Sequence, residues 1–201
     1  MQRFAALYRA LDASTSSLAK QAALQDYLRA APPADAAWAV YFLAGGKPRQ
    51  LVPTRVLREQ ARAAAGLPEW LFDESYEAVG DLAETISLLL PDPAAPVDRP
   101  LSDWLQNHLL PLRGLPPEAL HSRLVEQWRE LAGDDRLVYF KLITGAFRVG
   151  VSKLQVTQAL AAVSGVDAKL VAQRLMGYTQ PGARPTAADF SALTAPADAP
   201  T

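Results

Sequence analysis

The chain of 201 residues is half hydrophobic, carries a formal net charge of −1 and contains no cysteine. That length can bury one sizeable core or two smaller ones, and the lack of cysteine excludes disulfide bonds and thiolate chemistry. No apolar run approaches the roughly 20 residues of a membrane-spanning helix, and the charge-interrupted N-terminus lacks the pattern of a secretory signal, so we expect a cytoplasmic protein.

Apolar residues recur at three- and four-residue spacing along nearly the whole chain, and this periodicity predicts an all-α fold. Residues 2–11 form the first predicted helix, and a Ser/Thr cluster at residues 14–17 offers a cap to a second helix that ends near Ala30. Proline, glycine or aspartate separates the next four predicted helices, which cover approximately residues 35–44, 53–66, 68–79 and 82–90.

The second half of the chain begins with the proline-rich stretch PDPAAPVDRP at residues 91–100, which we interpret as the connection between two lobes. Five further helices are predicted at residues 101–110, 117–132, 134–144, 152–164 and 167–177. Residues 179–201, rich in Pro, Ala and Thr, are interpreted as a linker or flexible tail, so the predicted domain covers residues 1–178.

The charged residues are distributed unevenly along the chain. Residues 1–62 hold nine Lys/Arg and four Asp/Glu, residues 63–135 hold four and fourteen, and residues 136–201 hold seven and three. If the fold brings the two basic ends together, they would present a phosphate-binding surface on a mildly acidic protein. Charge that only solvates helix surfaces would give the same totals, so both interpretations stay open on charge alone.

An internal repeat relates the two halves. Residues 42–71 align without gaps on residues 141–170 when the sequence is shifted by 99 positions. The identical pairs are Leu43/Leu142, Gly46/Gly145, Arg49/Arg148, Val52/Val151, Ala63/Ala162, Gly66/Gly165 and Leu71/Leu170. This spacing predicts two pseudo-symmetric helical lobes, although any two Ala- and Leu-rich helical segments share some residues by chance.

The turn before each repeated helix has the composition of a phosphate clamp. The first amides of a helix lack intrahelical partners and carry partial positive charge, and glycine lets a backbone approach a ligand closely. Basic residues stand beside both turns, namely Lys47, Arg49 and Arg55 in the first copy and Lys141, Arg148 and Lys153 in the second. A glycine after a helix can also be a simple C-cap, so only the paired arrangement indicates binding to a nucleic-acid backbone.

The segments VPTRVL, ESYEAVGDLAETISLLL and KLITGAFRVGVSKLQVTQALA resemble the DNA-binding domain that precedes the catalytic core in ATP-dependent DNA ligases. In the last segment, residues 141–151 follow the family pattern of a Lys-Leu-Ile run, a glycine, an aromatic residue, an arginine and a second glycine. Residues 4–48 are most similar to the bacterial class linked to the cisplatin damage response. The resemblance covers roughly residues 1–178.

The resemblance implies an all-α, two-lobed, pseudo-symmetric domain that binds the minor groove of duplex DNA on both sides of a nick, without sequence preference. The implied contact surface consists of Ser16, Lys20, Gly45, Gly46, Lys47, Arg49, Thr54, Arg55, Thr144, Gly145, Arg148, Gly150, Val151, Ser152 and Lys153. Gly80 and Asp81 would form a structured turn, although Asp81 would repel phosphate and helix capping explains it better. We predict that Arg49 and Arg148 are both exposed on one face, away from acidic residues 73–84 and 118–135.

The resemblance also implies a role in ATP-dependent nick ligation during DNA repair, replication or recombination, in a bacterial, nucleoid-associated and monomeric protein. The lysine-x-aspartate-glycine motif that accepts AMP in this family does not occur in the sequence. We therefore expect no catalytic residue, metal site or cofactor in this segment. ATP and magnesium are implied for the full-length ligase, whose catalytic core would follow on the same polypeptide.

Other chemistry-bearing residues have simpler explanations. His108 and His121 lie among leucines in predicted helices, which favours packing or surface roles over catalysis. The spacing of the acidic cluster is typical of a solvated helix face; its members are Asp73, Glu74, Glu77, Asp81 and Glu84. All four tryptophans fall on apolar stripes and are predicted to be core rather than base-stacking residues; they are Trp38, Trp70, Trp104 and Trp128.

Two functions compete with DNA binding in a ligase. A helical-repeat adaptor would bind a protein partner in a groove and would be insensitive to salt. A helix-turn-helix regulator would need a recognition helix studded with Arg, Asn and Gln, but the helix at residues 152–164 offers only Lys153, Gln155 and Gln158.

Overall fold

The computed structural model describes residues 1–197, which form twelve α-helices and no strand. They are α1 (Gln2–Ala13), α2 (Ser17–Ala30), α3 (Pro33–Leu43), α4 (Thr54–Ala65), α5 (Glu69–Val79), α6 (Leu82–Leu89), α7 (Leu101–Asp103), α8 (Pro117–Trp128), α9 (Gly133–Ile143), α10 (Lys153–Ser164), α11 (Ala168–Leu175) and α12 (Ala187–Thr194). α7 continues as a π-helical segment, Trp104–Leu109, and a 3₁₀ turn, Leu110–Leu112. The predicted all-α fold is confirmed. No helix among residues 1–197 is long and apolar enough to cross a membrane.

Side-chain caps fix where several of these helices begin. Ser16 accepts a hydrogen bond from the Ala19 amide at the start of α2, and Asp81 accepts one from the Glu84 amide at the start of α6. α10 and α12 begin with complete capping boxes, in which the N-cap residue and the third residue of the helix bond to each other's amides. Each such cap satisfies amides that have no partner within the helix and stabilises it by about 1 kcal/mol.

The chain divides into two compact units whose boundaries differ from the predicted lobes. Unit 1 contains Met1–Arg49, Pro100–Ser102 and the chain from Arg148 onward, while unit 2 contains Gln50–Arg99 and Asp103–Phe147. The chain therefore leaves unit 1 after Arg49, touches it again at Pro100–Ser102 and returns to it from Arg148 onward.

Unit 1 is built around α3, in which all residues from 36 to 43 are buried. α3 packs against α12 and α10, and α2 packs against α1 and α10. Trp38 and Tyr41 are completely buried, and their rings meet edge to face with centroids 5.7 Å apart. An aromatic pair of this kind adds on the order of 1 kcal/mol to the area that it buries. α3 is thus a rigid base for the turn that follows it.

α9 is the central helix of unit 2, as α3 is of unit 1. Its residues 138–143 are buried, and α6 packs against it. The completely buried Tyr139 hydroxyl donates to Gln127 Oε1 at 2.7 Å and accepts from Trp128 Nε1 at 3.2 Å. The Gln127 amide nitrogen in turn donates to the His108 carbonyl at 2.9 Å. This satisfied polar network joins α8, α9 and the π-helical segment within one core.

The repeat seen in the sequence extends in the structure to six helices. α1–α6 are followed in the same order by counterparts about 99 residues later, from the helical segment that begins at Leu101 to α12. Contacts repeat as well: α3 packs on α12 as α9 packs on α6, and α11 packs on α12 as α5 packs on α6. Unit 1 combines α1–α3 of the first copy with α10–α12 of the second copy. Unit 2 combines α4–α6 of the first copy with α8, α9 and most of the helical segment before them from the second copy.

The proline-rich stretch at residues 91–100 runs mainly along unit 2, because residues 91–99 belong to that unit and Pro100 begins a three-residue segment of unit 1. The Ala95 and Val97 amides donate to the carbonyls of Arg129 and Glu130, and the Arg99 guanidinium forms a two-pronged hydrogen bond with the Glu130 carboxylate. Residues 91–99 are therefore held along unit 2 as an extended strap. Proline density identifies a segment that is not helical, but it does not distinguish a strap from a linker.

The predicted tail contains a twelfth helix that belongs to the core of unit 1. Thr186 caps α12, Leu193 is buried, and the Arg174 guanidinium donates to the carbonyls of Leu193 and Ala195. The Tyr178 hydroxyl donates to the Ala37 carbonyl of α3 at 2.8 Å. The interpretation of residues 179–201 as a linker therefore does not describe residues 179–195; residues 198–201 of that interpretation lie outside the described part of the chain.

Candidate nucleic-acid interface

Most of the candidate contact residues belong to unit 1. The eleven in unit 1 are Ser16, Lys20, Gly45, Gly46, Lys47, Arg49, Arg148, Gly150, Val151, Ser152 and Lys153. The four in unit 2 are Thr54, Arg55, Thr144 and Gly145. Arg49 and Arg148 are both exposed, and they stand at the last and first residue of the two main segments of unit 1.

The two units differ in the sign of their net charge. Among residues 1–197, unit 1 holds eleven Lys/Arg and five Asp/Glu, whereas unit 2 holds nine Lys/Arg and fifteen Asp/Glu. Residues 1–49 and 148–197 of the two basic ends thus lie in one unit, and acidic residues 73–84 and 118–135 belong to the other. A unit with a strong positive excess attracts a polyanion even where the whole protein is nearly neutral.

The basic side chains of the two units also differ in their partners. In unit 2, Arg58 pairs with Asp73, Arg99 pairs with Glu130, and the Arg99 guanidinium holds the pKa of Glu130 below its usual value. In the described part of unit 1, no ion pair involves Arg49, Arg148 or Lys153, all of which are exposed. These cations are available to an external anion without the loss of an internal partner.

The first turn rests on Tyr41. The Gly45 and Gly46 amides donate to the carbonyls of Phe42 and Tyr41, which ends α3 with a left-handed glycine at Gly45, φ +100°. At Gly46, a Cβ atom would lie 2.6 Å from the Tyr41 carbonyl oxygen and 2.7 Å from the Tyr41 ring. Gly46 is therefore a close-packing position, and its exposed neighbours Gly45 and Lys47 form the outer surface of the turn.

The segment after Gly177 supports this first turn, which the sequence reasoning did not foresee. The Tyr41 hydroxyl donates to the Gln180 carbonyl at 3.2 Å. A Cβ atom at Gly182 would lie 3.2 Å from Arg49 Nε, so this glycine leaves room for the arginine side chain. Gln180 and Gly182 are thus positioning residues for the turn that carries Arg49. A PG dipeptide in the sequence indicates a turn, but nothing in it shows what the turn contacts.

The second turn is held by α2. Lys20 Nζ donates to the Gly150 carbonyl at 2.8 Å, and Gln21 Nε2 donates to the Gln155 carbonyl at 2.7 Å. The first turns of α2 and α10 are therefore fastened to each other. Lys20 was predicted as a phosphate contact, but its ammonium group already has a backbone partner, so its first role is to position the Arg148–Lys153 turn. Gln21 was not predicted at all.

The two N-cap serines are also engaged within the protein. Ser16 Oγ accepts from the Ala19 amide, and Ser152 Oγ accepts from the Gln155 amide while Gln155 Oε1 accepts from the Ser152 amide. Both serines are exposed, so each hydroxyl keeps hydrogen-bonding capacity toward an external group. The remaining first amides of α2 and α10 point out of their helices beside Lys20 and Lys153.

The four candidate residues of unit 2 belong to two separate helix ends. α4 begins after Pro53 without any side-chain cap, and its first residues, Thr54 and Arg55, are exposed. At the end of α9, the Thr144 hydroxyl donates to the Phe140 carbonyl at 2.6 Å, and Gly145 follows in the left-handed conformation with φ +74°. Gly145 is thus a C-cap glycine, which was the alternative explanation of its presence.

The structure changes the register of the repeat at this point. The Gly145 amide donates to the Leu142 carbonyl as Gly45 donates to Phe42, and Ala146 donates to Lys141 as Gly46 donates to Tyr41. Gly145 is therefore the counterpart of Gly45, not of Gly46 as in the gapless alignment. α4 and α10 still begin 99 residues apart, so the second copy is one residue shorter between the two helices. An alignment of the two copies without gaps cannot reveal such a deletion.

Lys141 was predicted as part of the second phosphate clamp, and this prediction is wrong. Its side chain is buried, and Nζ lies 2.8 Å from Asp81 Oδ2 and 3.4 Å from Glu84 Oε1. Partial burial acts to raise the pKa of Asp81, but the hydrogen bonds from Lys141 and the Glu84 amide outweigh it and lower that pKa. Asp81 also caps α6, as predicted.

The remaining sequence predictions have mixed outcomes. Trp38, Trp104 and Trp128 are buried as expected, but Trp70 is exposed near the start of α5, so the prediction that it is a core residue is wrong. The same helix buries Phe72, two residues further on, and the spacing of apolar residues alone does not show which of the two side chains faces the core. Among residues 1–197, no three His, Asp or Glu side chains come together in an arrangement that could hold a metal ion.

Residues 1–161 match the protein family described as DNA ligase N terminus. The match includes both turns, α2 and most of α10. No curated protein matches the chain in sequence.

Proposed function

The chain belongs to the DNA ligase N-terminus family, and from this membership we propose that it binds duplex DNA, preferentially at nicks, without sequence preference. The binding would use backbone phosphates and the minor groove, and it would serve ATP-dependent nick ligation in DNA repair, replication or recombination. DNA is the partner, the protein acts as a monomer near the nucleoid of a bacterium, and its sequence pattern resembles that of the ligases of the cisplatin damage response.

The observation that carries this proposal is the separation of charge between the units. Unit 1 contains the exposed and internally unpaired Arg49, Arg148 and Lys153, whereas in unit 2 carboxylates outnumber the basic residues and Arg58, Arg62 and Arg99 are paired with them. Phosphate contacts need cations that are not already paired, because breaking an internal ion pair would offset the gain. The family membership therefore favours DNA as the partner, and the charge favours unit 1 as the part that contacts it.

Adenylylation and nick sealing belong to other residues of the full-length ligase in this proposal. The sequence contains no lysine in a lysine-x-aspartate-glycine motif, so no lysine here is a candidate to accept AMP. We propose that ATP and magnesium act in a catalytic core on the same polypeptide. Incubated with labelled ATP and magnesium, this chain should remain unlabelled.

The experiment that tests DNA binding is a titration of nicked and intact duplex with the protein at several salt concentrations. With on the order of five phosphate contacts, the logarithm of the binding constant should fall against the logarithm of the salt concentration with a slope of about −4 to −5. Duplexes of different sequence should bind alike. Absence of duplex binding at low salt, or binding that does not weaken with salt, would contradict the proposal and support a protein-binding adaptor.

A further inference from the structure

The exposed large hydrophobic residues of unit 1 gather around the candidate DNA surface. Within the described part of unit 1 there are three of them, Leu18, Met176 and Leu154, with 84%, 74% and 65% of their surface exposed. Leu18 lies between Ser16 and Lys20. Scattered single apolar residues on a surface need no explanation, but a group confined to one region of one unit does.

Leu18 and Leu154 occupy the same position in two helices that are fastened together. Each is the second residue of its helix, after an N-cap serine, and the two first turns are linked by the hydrogen bonds of Lys20 and Gln21 described above. Residues in the first turn of a helix stand beside the amides that carry its partial positive charge. An anion held at these turns would therefore lie next to two leucine side chains.

Met176 extends this apolar surface along α10 and α11. Leu154 and Met176 line a groove between the two helices, together with the small residues Ala168 and Ala172. Lys153 on α10 and Lys169 on α11 flank the groove, and no acidic side chain lines it. A groove with an apolar floor and a cation on each helix fits a ligand that is apolar in the middle and negatively charged on both sides.

We propose that Leu18, Leu154 and Met176 contact the sugars and base edges of the DNA minor groove, between the two phosphate backbones that lysines and arginines of unit 1 hold. This inference rests on the proposed DNA-binding function and adds to it the residues that recognise a nick. A minor groove has the required arrangement, because its floor presents sugar and base edges and each of its walls is a row of phosphates. Proteins that bind the minor groove commonly place leucine or methionine side chains against its floor, where they open the groove and unstack base steps.

A preference for nicked DNA follows from these apolar contacts. Phosphate contacts are nearly the same on nicked and intact duplex, so the basic residues contribute affinity without discrimination. Opening the minor groove costs deformation energy, and that cost is smaller where one strand is interrupted. The leucine and methionine contacts are therefore the part of the interface whose free energy depends on the nick.

The test compares polar variants of the three residues on nicked and intact duplexes. Leu18→Ser, Leu154→Ser and Met176→Ser, singly and together, should keep the wild-type melting temperature because the side chains are exposed. Each single change should weaken binding to nicked duplex about three- to tenfold, as expected for the loss of one apolar contact. The salt slope should stay unchanged, and in the triple variant the ratio of nicked to intact affinity should approach one. Leu88→Ser, at an equally exposed leucine of unit 2, is the matched control and should change nothing.

The outcomes separate this inference from the proposed function. If the wild-type protein binds no duplex, the proposed function fails and this inference fails with it. If the wild-type protein binds with a steep salt slope while the three variants bind nicked duplex as well as wild type does, only this inference is overturned.

Discussion

We expect Arg49 and Arg148 to affect DNA binding and to leave folding unchanged. Both side chains are exposed, and within the described residues neither takes part in an ion pair. Exposed charges of this kind contribute little to the free energy of unfolding. Gly46 and Lys141, in contrast, do contribute to the free energy of unfolding. Gly46 packs against Tyr41, and Lys141 bonds to Asp81 and Glu84. Sequence patterns assigned all four to the two predicted phosphate-binding turns, because such patterns report residue type and spacing and not the direction of a side chain.

We expect Arg49→Ala and Arg148→Ala each to weaken duplex binding by about 1 kcal/mol and to reduce the salt slope by about one unit, since each removes one phosphate contact. The melting temperature should not change. Fluorescence anisotropy at three salt concentrations measures both quantities, and Arg123→Ala, at an exposed arginine of unit 2, is the control. Unchanged affinity in both turn variants would remove these arginines from the interface.

Gly145→Val should mainly lower the free energy of unfolding and should affect DNA affinity less. The φ of +74° is a conformation that a β-branched residue adopts only under strain, so we expect a loss of more than about 1 kcal/mol in the free energy of unfolding. No atom would lie within 4 Å of the new Cβ, so the strain is in the backbone and not in packing. Denaturant unfolding measures the loss. If stability is unchanged while affinity falls more than for either arginine variant, Gly145 is a contact position and not a C-cap.

Lys141→Met should change how stability depends on pH. The pKa of Asp81 is lowered in the folded protein, so its stabilising contribution is present above the unfolded pKa and is lost as the pH falls through the lower folded pKa. Removing the ammonium group should cost about 1–2 kcal/mol at neutral pH, since the carboxylates are partly solvated, and should flatten the loss of stability below about pH 4. Urea unfolding between pH 2.5 and 7 is the measurement, with Lys169→Met as an exposed control. A parallel pair of curves would exclude this ion pair as a source of the acid sensitivity.

At the scale of helices, apolar periodicity and helix-breaking residues predicted the position of a helix where that helix is long and buries one face. The predicted helix at 152–164 corresponds to α10, which begins at Lys153 and ends at Ser164, because its capping serine and terminal glycine are local signals. α12 was missed because its eight residues, AADFSALT, are too short for a clear apolar stripe and follow two prolines. α12 does begin with a local signal, the capping box of Thr186 and Asp189, but its contact with α3 also stabilises it and is not visible in the local spacing of apolar residues.

Leu193→Ala should therefore destabilise the protein although it lies in a segment that has the composition of a tail. The side chain is 2% exposed in the core of unit 1, and removing a buried leucine side chain costs about 2–4 kcal/mol. Leu88→Ala, at an exposed leucine of α6, should cost far less and serves as the comparison. Thermal unfolding followed by circular dichroism decides the matter, and equal melting temperatures for the two variants would mean that α12 does not stabilise unit 1.

At the scale of the whole molecule, duplication and folding follow different boundaries. The repeated copies are consecutive in sequence, but each compact unit takes helices from both copies. The expectation of one lobe per copy was reasonable for a tandem repeat, whose units usually pack on their neighbours in order. The number and spacing of helices along the chain are the same whether each copy forms its own unit or each unit takes helices from both copies. Only long-range contacts distinguish them, and a single sequence does not contain those.

The exchange of helices predicts how the chain behaves when it is cut. Fragments 1–95 and 96–201 each contain half of both cores, so each alone should have low helicity and unfold without cooperativity. Mixed in equal amounts, they should regain the circular dichroism spectrum and the single cooperative transition of the intact chain. Full helicity and cooperative unfolding of either isolated fragment would show that each copy folds by itself.

The same topology sets the order in which the protein can form during synthesis on the ribosome. Unit 2 is complete once residue 147 has left the exit tunnel, whereas α1–α3 must wait for α10–α12 before unit 1 can close. The usual order, in which the N-terminal part folds first, is therefore reversed. The apolar face of α3, the most completely buried helix of unit 1, stays without its partners while residues 44–152 are synthesised. We expect this interval to be the period of greatest exposure to aggregation and the period in which a chaperone would bind.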